Sequence, residues 1–311
     1  MSAFPIGLPE PQVSGGQSVR LRAPFWSRLA LATSVLAVPT ALWAQTGLLV
    51  VAHGGEESWN AGVRDVVAQV RWSGGPTATA FLMGPEAVTS GWDAGVAGLV
   101  AKGANRIVVV PLLVSSHGGH YHQIRHYAGE LAELPAELVE HQHAPSRAPP
   151  VPMRVTGALD AAPELGEVLA ERWRALDAVN RGRPLLLVAH GPNSDAEAEL
   201  WVRNLDSAAA VIREAEKIPV TVGLLRDDAP APVRTAAVAV IRGAIQRLAR
   251  GARDSVAVLP VLISSGPINR VTIPKDLDGL PVHYVPVSLA PHPALARWIE
   301  RVALAVVAEP R

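Results

Sequence analysis

Four histidines, His117, His120, His122 and His126, stand close together after the apolar run IVVVPLLV of residues 107–114. A short apolar run of this kind suits a strand buried on both faces of a parallel sheet. Imidazoles at the carboxyl end of such a strand stand where open α/β sheets place their ligands. Neutral imidazole binds borderline divalent metals, and its ordinary pKa near 6.5 also lets it accept a proton at neutral pH. A second motif, Val-Ala-His-Gly, follows another apolar run at His53 and recurs at His190. Glycine after the histidine lets the chain turn and lets a ligand approach the backbone closely. If the first and third strands end side by side, His53 and His120 face each other and can hold an ion with coordination positions left open. The bland alternatives are a hydrogen-bonded histidine at a strand end and a histidine-rich solvated loop. Glu86, in AFLMGPE, either supplies a carboxylate near the two histidines or is the first-turn acid of a helix.

Composition narrows the field. Apolar residues make up 49% and charged residues 18% of 311 residues, with zero formal net charge, which is a globular composition without the basic stripe of a nucleic-acid binder. There is no cysteine, so disulfides and thiolate metal sites are excluded. Seven of the ten histidines lie between His53 and His143, the strongest local bias in the chain. Arg20, Arg22 and Arg28 precede an uncharged run to Thr46 that contains LALATSVLAV and ends ALWAQT. This reads as a secretory signal cleaved near Ala44, or else an uncleaved N-terminal anchor, and places the protein in the periplasm. A mis-assigned start would return it to the cytoplasm.

The elements that must position the histidines are written twice. LLVVAHGG at 48–55 is echoed by LLLVAHGP at 185–192, IVVVPLLVSS at 107–116 by VAVLPVLISS at 256–265, and VTGALDAAPELGEVL at 155–169 by VPVSLAPHPALARWI at 285–299. Three blocks in one order imply two homologous domains. The expected division is a signal or anchor at 1–46, a metal-site domain at 47–182 and a degenerate domain at 183–311. In the first half, strands are expected at 48–52, 77–82, 107–114 and 151–156. Helices are expected at 59–70, 88–100, 121–134 and 163–176, and residues 141–152 read as a proline-rich loop. The second half repeats this, with helices around 201–215 and 233–249. The fold class is therefore α/β: two tandem domains, each a small parallel four-stranded sheet flanked by helices. Duplication within one chain also implies a monomer.

The order strand-HG, then AFL…P, then PLLVSS(H)GGH, then a strand followed by a PEL helix resembles the sirohydrochlorin chelatase family, the metal-inserting enzymes of cobalamin and sirohaem synthesis. The likeness covers residues 47–311 as the two-domain form. It implies a tetrapyrrole substrate and a divalent metal as co-substrate, Co²⁺ foremost with Ni²⁺ or Fe²⁺ as alternatives, and no organic cofactor. Carried over, the metal ligands and proton acceptors are His53 and His120. His117 competes for the second place, because this chain has one residue more than the family between the proline and that histidine. Glu86 is a further candidate for proton removal, and Arg125 is the nearest cation for the substrate's carboxylates. Two departures stand out: Met83 occupies the place where the family often has glutamate, and Gln123-Ile124-Arg125 replaces an acid-rich segment. In the second half His190 is kept, but Asn269 stands where its partner histidine would be. Asn193, Asp195, Asp227 and Asp228 are candidates for that half's wall of the cleft.

Besides a purely structural exported domain, two rival readings remain. One is an exported, non-catalytic metal- or tetrapyrrole-binding protein on the same scaffold. The other is a hydrolase, disfavoured because no G-x-S-x-G elbow occurs and because Ala52 and Ala189, not arginine, precede the His-Gly pairs.

Overall fold

The computed structural model describes residues 45–134, 148–250 and 255–308. The export segment, apart from Gln45 and Thr46, and the loop from 141 up to 147 lie outside the described residues. The first half runs β1 (Thr46–Ala52), α1 (Glu57–Val67), β2 (Thr77–Phe81), α2 (Ala87–Ser90), α3 (Trp92–Ala101), β3 (Arg106–Pro111), α4 (Gly119–Tyr127), β4 (Met153–Val155) and α5 (Pro163–Arg174). A short helix, α6 (Ala178–Arg181), leads to the second half. There follow β5 (Leu185–Ala189), α7 (Asp195–Glu216), β6 (Val220–Leu224), α8 (Ala231–Arg250), β7 (Val256–Val261), α9 (Ile273–Asp276), β8 (Val282–Tyr284) and α10 (Pro293–Ala308). Each half forms a parallel four-stranded sheet, in the orders β2-β1-β3-β4 and β6-β5-β7-β8.

Alternation along the central strands sets the layers. In β1, Leu48, Val50 and Ala52 join one apolar cluster while Leu49 and Val51 join another. The first cluster also holds Leu185, Leu187 and Ala189 of β5, together with side chains of α1, α5, α7 and α10, so the two sheets share one inner core. The outer face of the first sheet is covered by α3 and α4, and that of the second by α8 and α9. Trp173 of α5 and Trp298 of α10 are completely or almost completely buried in the shared layer. Polar ties reinforce it: Arg301 grips Glu164 through two bonds of 2.8 and 2.7 Å, and His292 Nε2 lies 3.0 Å from Glu171.

Three differences from expectation stand out. The helix expected at 88–100 is broken into α2 and α3 at Gly91, whose extended backbone begins the second piece. The helix expected at 121–134 starts at Gly119 and stops at Tyr127, because Gly129 at φ 79° supplies a left-handed ending. The third strand stops at Pro111 rather than 114, although the Leu112 N–H still reaches the Val51 carbonyl at 2.7 Å.

Candidate metal centre

β1 and β3 are neighbours, with Val51 paired to Pro111, so their carboxyl ends open side by side. His53 leaves the end of β1 and His120 sits in the first turn of α4. Their rings meet edge to face, centroids 4.7 Å apart and planes at 86°. Because a carbonyl oxygen only accepts, the His53 Nδ1–H donates to the Gly54 carbonyl at 2.7 Å. The His120 Nδ1–H donates to Gln123 Oε1 at 3.0 Å, while Gln123 Nε2 donates to the Tyr127 hydroxyl at 2.9 Å. Both imidazoles are thereby fixed in the tautomer whose Nε2 lone pair is available to an ion, and each ring is oriented by a hydrogen bond on its other nitrogen. Trp59 borders His53 with centroids 6.2 Å apart.

The surroundings also fix the charge state. Loss of water around the ring, and then the neighbouring His120, push the His53 pKa down to about 4. Burial likewise lowers the His120 pKa. Both rings are therefore neutral at pH 7, the form that binds metal. The same depression has a cost in acid. An unfolded His53 takes up a proton as pH falls below 6.5, whereas the folded one resists until about 4. Stability from this residue is complete above pH 6.5 and is lost as pH falls towards 4, by on the order of 2–3 kcal/mol. Metal-free protein followed by thermal unfolding from pH 8 to 4 should show a falling midpoint in that window, with a shallower fall in His53→Gln. Equal slopes in the two proteins would refute it.

The loop carrying the pair is braced from several sides. The His53 carbonyl accepts from Leu82 and Met83 N–H at 3.1 and 2.9 Å, which ties it to the end of β2. Asn60 holds Gly55 at both its N–H and its carbonyl. Residues 115–117 are pinned by Asp160, whose carboxylate accepts from Ser115 Oγ at 3.2 Å, Ser116 N–H at 2.8 Å and Ser116 Oγ at 2.6 Å. Asn204 of α7 adds a bond at 3.2 Å, so the second half steadies the histidine loop of the first. Asp160 holds a left-handed backbone, φ 46°, to make these contacts.

Sequence reasoning missed Asp160, Asn204 and Asn60. The duplication carried a signal for the first. The Asp160 N–H bonds the Val114 carbonyl as the Ala290 N–H bonds the Ile263 carbonyl, so alanine replaces the acid in the half that also lost the second histidine. Asn269 lies as far beyond Pro260 as His120 does beyond Pro111. It is fully buried, donates to the Val287 carbonyl at 3.1 Å and accepts from the Tyr284 hydroxyl.

The other candidates fall out as follows. His117 does not meet His53. Its N–H donates to Ser115 Oγ at 3.2 Å and its carbonyl accepts from the Trp201 indole. Glu86 is engaged at both oxygens, by Asn60 at 2.9 Å and Arg64 at 2.7 Å. The Asn60 bond foremost, helped by Arg64, holds its carboxyl below the usual range. It therefore braces the Gly55 turn through Asn60 and is not poised to remove protons. Arg125 pairs with Glu130 at 3.1 Å. The Asn193 carbonyl and the Asp195 carboxylate are taken by Arg226, and Asp227 pairs with Arg234 at 2.8 Å. Asp228 lies 3.4 Å from His190 Nε2. Among the described residues, no three His, Asp or Glu side chains converge closely enough to hold an ion by themselves.

Residues 47–176 match the family model named CbiX. This part of the chain is similar to the CbiX family. The matched stretch is the one that carries both His53 and His120. No curated protein matches the chain. Among solved structures, it is similar to SirB from Bacillus subtilis with Fe³⁺, at 18% identity and TM-score 0.56, over 85% of this chain and 96% of that one. The sirohydrochlorin chelatase SirB from Bacillus subtilis subspecies spizizenii in complex with cobalt matches at 15% identity and TM-score 0.56, over 86% and 97%. DR2241 from Deinococcus radiodurans, a multi-domain protein with structural similarity to chelatases, matches at 17% identity and TM-score 0.53, over 86% of this chain and 56% of its own. At such identities the likeness establishes the fold: two chelatase-like sheets in one chain.

Proposed function

We propose that this protein is a metal chelatase that inserts a divalent ion into a tetrapyrrole of the sirohydrochlorin kind. The observation that carries the reading is the edge-to-face contact of His53 and His120 at 4.7 Å, with both Nδ1 atoms spent on internal hydrogen bonds. Two neutral imidazoles hold an ion yet leave most of its coordination positions open. An insertion reaction needs that incompleteness, since the ring nitrogens must replace the ion's other ligands. The match of residues 47–176 to the CbiX family model supports the reading, as do the cobalt and Fe³⁺ described for SirB. Co²⁺ is the proposed metal, ahead of Ni²⁺ and Fe²⁺. Export through residues 20–46 remains part of the proposal.

The experiment is an anaerobic incubation of the purified full chain with sirohydrochlorin and each of Co²⁺, Ni²⁺ and Fe²⁺, following the ring's visible spectrum. The expected result is many turnovers with Co²⁺ at a rate well above the uncatalysed one. Metal or ring uptake at one equivalent, with no metallated product released, favours the second reading, an exported binding protein. One observation speaks for that alternative: Glu86 is locked to Arg64 and Met83 stands where the family often has glutamate, so among the described residues of the first half neither position offers a free carboxylate to the histidines.

A further inference from the structure

Insertion of M²⁺ into the ring breaks two pyrrole N–H bonds and forms bonds from those nitrogens to the metal. Two protons leave and the total charge is conserved, so some group must receive each proton. In the first half, His53 and His120 would hold the ion through Nε2, since their Nδ1 atoms are spent on internal hydrogen bonds, and Glu86 is engaged at both oxygens. We infer that His190, partnered by Asp228, is the group that accepts the ring protons, so that the first half holds the metal and the second half removes the protons. This rests on the chelatase reading above.

His190 leaves the end of β5 as His53 leaves the end of β1. It has no counterpart of His120, since Asn269 stands at that position, buried and tied to Val287 and Tyr284. What remains is a different dyad. The His190 Nδ1–H donates to the Gly191 carbonyl at 3.0 Å, so the lone pair sits on Nε2. That atom lies 3.4 Å from Asp228 Oδ2. Once Nε2 is protonated, the same contact becomes a hydrogen-bonded ion pair. The Asp228 side chain is 64% exposed, which gives the proton a way out to water and frees His190 to take the second one.

The dyad also stands next to the metal pair. A Cβ placed on Gly118 would meet Pro192 at 3.9 Å, so the chain two residues after His190 packs on the chain two residues before His120. The Trp201 indole, from α7, holds the His117 carbonyl of the same loop. The charges of His190 and Asp228 both act on His53 and on His120, which puts all four groups in one electrostatic neighbourhood.

The test uses the full chain and the variants His190→Gln, Asp228→Asn and His53→Ala. Co²⁺ affinity is read by calorimetry, ring binding by quenching of tryptophan fluorescence, and insertion by single-turnover absorbance. In His190→Gln, Co²⁺ and ring affinities should stay within about 2-fold of the parent while insertion slows about 100-fold or more, the usual worth of a general base. Added imidazole should restore part of the rate. Asp228→Asn changes an exposed side chain, leaves the unfolding midpoint in place, and should slow insertion about 10-fold. Insertion at the parental rate in His190→Gln overturns the inference. A loss of Co²⁺ affinity equal to that of His53→Ala overturns it too, by making His190 a metal ligand. If the parent binds Co²⁺ and the ring but forms no product, the chelatase reading itself fails and takes this inference with it.

Discussion

In the His53→Ala variant, Co²⁺ affinity is expected to fall by at least about 100-fold, since even the loss of an outer partner of a metal ligand costs about 10–100-fold. His120→Ala should do the same and His117→Ala should change affinity by less than about 2-fold. The contrast follows from geometry. The His53 ring meets His120 at 4.7 Å, while His117 serves the fold through its backbone, between Ser115 and Trp201. Titration of the metal-free protein with Co²⁺, followed by its visible absorption and by calorimetry, separates the three variants. Parental affinity in His53→Ala would remove the site. Equal losses in the His117 and His120 variants would instead describe a diffuse histidine-rich loop.

The framework of that site was legible in the sequence because burial on both faces leaves a plain mark. Leu48 to Ala52 and Ile107 to Val110 are uninterrupted apolar runs, and their repetition at 185–189 and 256–259 gave both sheets at once. His53 was legible for the same reason, since a polar residue that ends such a run stands at the sheet's rim. The choice between His117 and His120 was not. Both follow the strand, and only the turn pinned by Asp160 decides which ring swings towards His53. That turn depends on a contact between residues 44 positions apart, which local patterning does not encode. Glu86 shows the opposite failure. Its position after β2 fitted a catalytic acid, but Arg64, two turns along α1, was already its partner. A pairing across two elements is invisible until the elements are packed. The break at Gly91 was missed because the apolar spacing at 88–100 continues across it, and periodicity cannot see one extended residue.

Glycine after His53 accounts for the His-Gly motif, and Gly54→Ala is expected to be the most damaging small substitution near the site. Gly54 has φ 90°, which L side chains rarely adopt. A Cβ there would lie 2.2 Å from the Met83 carbonyl oxygen and 3.0 Å from Phe81 Cβ. The Met83 oxygen cannot step aside cheaply, because the Met83 N–H is bonded to the His53 carbonyl and holds the end of β2 in place. Relief must come from the backbone at Gly54 itself, whose own carbonyl is the acceptor that orients the His53 ring. The substitution should therefore lower stability by about 2–4 kcal/mol and, in the molecules that remain folded, weaken Co²⁺ binding by about 10-fold or more. Gly191→Ala is the matched control. Gly191 has φ 81° as well, but its added Cβ would meet the Leu224 and Arg226 side chains at 2.9 and 3.3 Å rather than a backbone oxygen. It should cost stability, again by about 1–3 kcal/mol, and leave Co²⁺ affinity within about 2-fold. Thermal unfolding paired with Co²⁺ titration reads both quantities. A Gly54→Ala protein with parental affinity would show that the ring of His53 is held by something other than the turn that follows it.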